Sequence, residues 1–222
     1  ASDRGLAPLA NAILQGTPAA SLEALAANSI HHDREVHTAE DALAGAAHII
    51  AERFSIRPEL RQRVRDLFWS DGVLRCSRGT LPDDQIKEFR DYFAFSESVR
   101  DLPPHRVLAV NRGERKKALK AVIDLPQELL SSECAALVIP ADHPWRDFLM
   151  TCLKDALERL VLPAINREVR HELTTRAQEH AIDVFANNVR GILMTPPVPG
   201  KRVLAIDPGF RTGCKAAALD AD

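Results

Sequence analysis

Ile165-Asn-Arg-Glu-Val169-Arg-His-Glu-Leu173-Thr-Thr-Arg-Ala177-Gln-Glu-His-Ala181-Ile-Asp-Val184-Phe185 decides the fold class. Its apolar positions recur in steps of four with a single three. That spacing is one face of an α-helix and excludes the two-residue alternation of a half-buried strand. The residues between are mostly charged or polar, so the segment reads as one long amphipathic helix reaching about Leu193. Upstream, from Pro144, the residues Phe148, Leu149, Cys152, Leu153, Ala156 and Leu160 lie on one helical face. Pro163 stands between the two patterns and marks a kink or a restart, because proline lacks the amide proton a helix needs. Downstream, Thr195-Pro-Pro-Val-Pro-Gly200 ends the helix and reads as a domain boundary.

Working toward the N-terminus, the pattern stays helical. Leu6–Leu14 and Ser21–Ala27 are short Ala- and Leu-rich helices separated by Gly16-Thr-Pro18, without a fixed repeat period. Thr38 followed by Glu40 and Asp41 is a helix start, and Leu43, Ala46, Ala47, Ile50 and Phe54 continue it. Pro58 suits the first position of the next helix, whose apolar stripe is Leu60, Val64, Leu67 and Phe68. Arg61, Arg63 and Arg65 are expected to point to solvent. Gly72 and Gly79 bound a short strand, Val73–Ser77, which is expected to pair with Leu119–Leu125. Asp83-Asp84 opens a further helix with Ile86, Phe89 and Phe93 inward, and Val107–Asn111 lies in another. The expected fold is therefore mainly α: a multi-helical bundle with one long helix near the C-terminus and at most a small β-ribbon.

The chain has 222 residues, a formal net charge of −2 and 45% apolar residues. That length can bury a core without staples. The charge balance excludes a domain whose whole surface grips phosphates; any nucleic-acid contact must be a local patch. Cys76, Cys134, Cys152 and Cys214 are widely spaced, which excludes a zinc knuckle and reads as reduced thiols in a cytoplasmic protein. No apolar run reaches membrane-spanning length. The first residues, Ala1-Ser-Asp3, read as a cut start.

The densest basic cluster is Arg112, Arg115, Lys116 and Lys117, with Lys120 nearby. Neutralising phosphates releases counterions, so these are the candidate nucleic-acid-binding residues. Glu114 dilutes the cluster, and a solvated helix end is the plainer reading. Gly113 is a candidate helix C-cap. Arg90-Asp-Tyr-Phe-Ala-Phe95 would stack on bases if exposed and is core packing if not. His31, His32, Asp33, Glu35 and His37 carry metal-ligand chemistry, but their spacing fits neither a helical pair nor a zinc-hydrolase motif, so a solvated loop is expected. The chain has no G-x-x-x-x-G-K-[ST], H-E-x-x-H or G-x-S-x-G motif. Ile206-Asp207-Pro208-Gly209 puts a carboxylate at a strand tip, where it could help hold Mg²⁺. After it only Asp220 and Asp222 remain, so no metal, cofactor or complete catalytic site is expected.

Several stretches together resemble the Tex family of bacterial RNA-binding transcription accessory proteins. They are Ala42-Leu-Ala-Gly-Ala-Ala47 with Ile50-Ala-Glu-Arg53, and Glu88-Phe-Arg-Asp-Tyr-Phe93 with Phe95-Ser96. Pro104-His-Arg-Val-Leu-Ala109 with Arg112-Gly113 follows, where Pro104 replaces a common serine. Phe185-Ala with Asn188, Arg190 and Pro196-Pro197, and Asp207-Pro-Gly-Phe-Arg-Thr-Gly213, complete the set in family order. The resemblance implies that residues 1–195 are a helical N-terminal region, 196–202 a linker, and 203–222 the first strand and turn of a ribonuclease-H-like domain of the YqgF type. It implies a longer protein with helix-hairpin-helix and OB-type RNA-binding modules beyond this chain. Asp207 would then occupy the first metal-carboxylate position of that fold, in a family not regarded as active nucleases.

The expected function is a non-catalytic helical scaffold that binds RNA, ahead of DNA, through modules outside the chain and contacts the transcription machinery. The alternatives are part of a metal-dependent ribonuclease-H-like or resolvase-type nuclease, and a stand-alone helical adaptor. Val203, Leu204 and Ile206 are expected to pack opportunistically or to lack order.

Overall fold

The computed structural model describes residues 5–19, 21–31, 36–82, 87–196, 199–211 and 213–221. His32, Asp33, Glu35, Asp83, Asp84, Ile86, Pro197, Thr212 and Asp222 lie outside the described residues, with the expectations that rest on them. The chain forms two compact units, Ala1–Glu179 and His180–Asp222.

The first unit opens with α1 (Ala7–Leu14) and α2 (Leu22–Ala27), which pack on α3 (Ala39–Ser55). The start of α3 is fixed by reciprocal bonds. Thr38 Oγ1 accepts from the Asp41 amide at 3.0 Å, and Asp41 Oδ2 accepts from the Thr38 and His37 amides. Two donors that the helix cannot satisfy are thereby paired. Hydrogen bonding with the Thr38 side chain first, and then with the His37 amide, holds the Asp41 carboxyl below its ordinary range. Ala42, Ala46, Ile49, Ile50 and Phe54 then face the core. Gly45 sits under Leu6; a Cβ there would collide with Leu6 Cδ1.

Helix α4 (Pro58–Ser70) begins on its proline and buries Leu60, Val64, Leu67 and Phe68, as the stripe predicts. Its arginines depart from the expectation of solvent. Arg61 and Arg65 clamp the Glu168 carboxylate at 3.0 and 2.7 Å, and Arg63 meets Glu133 at 3.0 Å. The helix is covered on its flanks, so the charges between the apolar positions find carboxylates on neighbouring helices.

The paired strands are β1 (Val73–Arg78) and β3 (Leu119–Asp124), antiparallel, with Leu74 opposite Ile123 and Cys76 opposite Ala121. A third strand that no sequence signal announced, β2 (Ser96–Ser98), completes a sheet of order β2–β1–β3. Residues 87–92 form a 3₁₀ turn instead of an α-helix, with Phe89 buried and Phe93 half-buried. Helix α5 (Pro104–Arg115) leads to β3, and α6 (Gln127–Val138) follows.

Helix α7 (Arg146–Asp155) runs through a π turn (Ala156–Val161) into α8 (Leu162–Leu193). Pro163 explains the widened turn. Its missing N–H and its ring both conflict with a tight bond to the preceding turn, and an extra residue relieves them. The insertion shifts the buried face. Leu157 and Val161 are buried, and Leu160 is only half-buried. On α8 the stripe Ile165, Val169, Leu173 and Ala177 is buried as expected. Its predicted continuation is not: Ala181, Val184 and Phe185 are exposed.

The second unit contains the end of α8 and a hairpin of β4 (Val203–Pro208) and β5 (Cys214–Leu219). The Gly209 amide donates to the Gly213 carbonyl at 3.0 Å, and Gly213 has φ 85°, a left-handed conformation natural to glycine. Every residue of both strands is exposed, including Val203, Leu204 and Ile206.

Candidate nucleic-acid interface

The basic cluster spans the last turn of α5, the left-handed corner after it and the start of β3. The corner is tightly built. Ala118 N donates to Gly113 O at 2.8 Å and Lys117 N to Glu114 O at 2.9 Å. The Lys117 carbonyl accepts from Thr80 at 2.9 Å and Leu81 at 3.1 Å, and Gly79 N donates to Ala118 O at 2.8 Å. Two chain reversals are thus sewn together. The left-handed residue is Lys117, with φ 61°, and not Gly113. Gly113 lies inside α5 for another reason: Leu119 and Phe89 occupy the space its side chain would take. The candidate C-cap is therefore a packing glycine.

The five cations are differently employed. Arg112 and Lys116 converge on Glu88, at 3.1 and 2.6 Å, and both lie over the buried Phe89 ring, 5.4 and 5.6 Å from its centroid. The Lys116 hydrogen bond, aided by both nearby charges, holds the Glu88 carboxyl below its ordinary range. Arg115, Lys117 and Lys120 are exposed. Glu114, which reads in sequence as diluting the cluster, is turned away from it. It pairs with Arg170, and its Oε1 accepts from the Ala121 amide at 3.2 Å. Arg170 also donates to Asn111 Oδ1 at 2.9 Å, and Asn111 donates to Thr174 Oγ1 at 2.8 Å. This half-buried polar seam ties α5 to α8. Its members lie far apart in sequence and have no motif, so only the fold brings them together.

The aromatic stretch is core and not a stacking platform. Phe89 is buried, and Tyr92 packs on Phe95 with centroids 5.3 Å apart. The Arg106 guanidinium covers Phe95 at 5.3 Å and pairs with Glu97 at 2.7 Å.

Asp207 is exposed on β4, opposite Lys215. Among the described residues no group of three or more His, Cys, Asp or Glu side chains could hold a metal ion. His31 bridges to Val36 through the backbone, with both bonds at 3.1–3.2 Å. Cys76 and Cys134 are buried, and desolvation pushes their thiols up to about 11; Cys152 is pushed to about 12. Such thiols are not nucleophiles at neutral pH. No described helix is long and apolar enough to cross a membrane.

A family model described as Tex central region-like matches residues 17–185. The Bacillus subtilis protein YdcI is 39% identical over 222 residues, covering 99% of this chain and 31% of that protein. The transcriptional accessory protein Tex of Neisseria gonorrhoeae is 31% identical, covering 99% of this chain and 30% of that protein. The human S1 RNA-binding domain-containing protein 1 is 27% identical over 82% of this chain and 20% of its own length. The chain therefore spans about a third or less of each relative.

Proposed function

The chain belongs to the Tex family, and we propose from that premise that it is a non-catalytic helical scaffold of a transcription accessory protein. RNA would be held mainly by modules outside these residues. The names of two relatives, one a transcriptional accessory protein and one an S1 RNA-binding domain protein, support the setting. The observation that carries the scaffold reading is the engagement of Glu88 with Arg112 and Lys116. It engages two of five candidate phosphate ligands and offsets one of their two charges, leaving Arg115, Lys117 and Lys120 as an auxiliary contact edge. A net charge of −2 agrees with that. We take the protein to act in the cytoplasm and to require no cofactor.

The test is binding of single-stranded RNA by the 222-residue chain across a salt series. Weak binding with a shallow slope is expected, and reversal of Arg115, Lys117 and Lys120 to Glu removes what there is. Tight binding with a steep slope would overturn the reading.

A second reading, part of a metal-dependent nuclease, is favoured by one observation: Asp207 lies at the turn end of β4, where a carboxylate can meet a cation. Hydrolysis with Mg²⁺ or Mn²⁺ that is lost in Asp207→Asn would establish it; the scaffold reading expects no turnover.

A further inference from the structure

Helices α6 and α7 border a groove of about 740 Å³, within the range of roughly 300–1,000 Å³ usual for binding clefts. Its floor is aliphatic, formed by Ala135, Val138, Ile139, Leu149 and Met150. Two guanidinium groups, Arg57 and Arg146, lie along it, and none of the described lining residues is a carboxylate or an aromatic. Arg57 lies over the Phe54 ring, 5.7 Å from its centroid, and among the described residues its one carboxylate contact is Glu59 at 4.0 Å. Arg146 pairs with no carboxylate among the described residues; its Nη1 donates to the Pro140 and Ile139 carbonyls at 3.0 and 3.4 Å, which fixes the group in place. Of the unit's exposed large apolar side chains, one lines this groove and another adjoins one of its arginines in sequence. Leu137, 44% exposed, lines the groove, and Ile56, 74% exposed, directly precedes Arg57.

We propose that this groove docks an acidic amphipathic segment of a partner protein. Apolar side chains of the segment would cover the aliphatic floor, and its carboxylates would meet Arg57 and Arg146. Two arginines beside buried apolar surface complement that pattern, Arg146 with no carboxylate partner among the described residues and Arg57 with a single long contact to Glu59; guanidinium binds carboxylate with a planar fork while its stem packs on aliphatic groups. A helix laid in a groove presents such anchors at i, i+3, i+4 and i+7. A nucleic-acid strand fits less well, since bases stack on aromatic rings and this floor has none. The inference rests on the scaffold reading, but it is tested without RNA, so the two can fail separately.

The probe is an acetylated, amidated two-heptad peptide with Leu at the anchor positions and Glu elsewhere, titrated into the isotope-labelled chain. A control peptide carries Lys for Glu. The Glu peptide is expected to bind about tenfold or more tighter, a difference of about 1.4 kcal/mol or more, with amide shifts confined to the surroundings of Leu137 and Met150. Arg57→Glu, which leaves the Arg146 carbonyl contacts untouched, should weaken the Glu peptide and strengthen the Lys peptide. Equal binding of the two peptides, shifts elsewhere, or no binding would overturn the proposal.

Discussion

The Lys116 ammonium lies 2.6 Å from Oε1 of Glu88, a residue 28 positions earlier in sequence. That contact makes the basic corner partly self-neutralised, and it gives a pH signature. The Glu88 carboxyl titrates below its ordinary value, so the ion pairs are present at neutral pH and are lost as pH falls through that lowered value. Side-chain carboxyl NMR should show the lowered midpoint, and Lys116→Ala should move it upward. Glu88→Gln should raise affinity for a polyanion such as heparin at low salt.

The Glu168 carboxylate braces two turns of α4 through Arg61 and Arg65. Hydrogen bonding from Arg65 is the main cause of its lowered titration. Partly exposed pairs are worth about 0.2–1 kcal/mol each, so Glu168→Ala should cost about 1 kcal/mol. The loss should appear in denaturant melts at neutral pH and shrink as pH falls through the lowered carboxyl value, or as salt rises.

Gly79 lies against the Lys117 carbonyl, and an added Cβ would collide with it. That carbonyl accepts two amide protons, so it cannot move without losing them. Gly79→Ala should destabilise by about 1–3 kcal/mol, read from chemical denaturation.

The two parts of the α8 stripe should answer differently to truncation. Ile165 is fully buried, and Ile165→Ala should cost about 2–5 kcal/mol. Phe185 is 69% exposed, and Phe185→Ala should change stability by about 0.5 kcal/mol or less. Thermal melts of the two variants check this; equal losses would show that the distal stripe is covered in solution.

Native thiol counting should find Cys214 labelled promptly, because it is exposed, and Cys76, Cys134 and Cys152 labelled only on unfolding. Their raised values keep them protonated well above neutral pH, and burial denies access to the reagent.

Helices with a local signature were legible in the sequence. Thr38 with Asp41, Pro58 with the Leu60–Phe68 stripe, and the four-residue steps from Ile165 to Ala177 each state an element and its buried face. The β1–β3 pairing was also readable, from glycine punctuation around short apolar runs. Charge partners were not. Arg61 and Glu168 are 107 residues apart, and Glu114 looks like part of a basic cluster until the fold turns it to Arg170. The end of the long stripe misled for a related reason: periodicity says which face is apolar, not whether anything covers it. The candidate site is legible as a cluster of charges, but which of its cations meet a carboxylate among the described residues depends on Glu88, 24 residues before Arg112.

The π turn at Ala156–Val161 has a consequence for inheritance. A wide turn of this kind is what a one-residue insertion leaves behind in a helix. The widened turn holds that extra residue while the helical segments on either side keep their phase. Removing a single residue there would restore ordinary winding and leave Leu149, Cys152 and Leu153 on their buried face. The same deletion in a regular turn, with no bulge to take it up, would rotate one flank by about 100° relative to the other. The residue count between Arg146 and Ile165 can therefore change by one at this turn without moving the core-facing side chains.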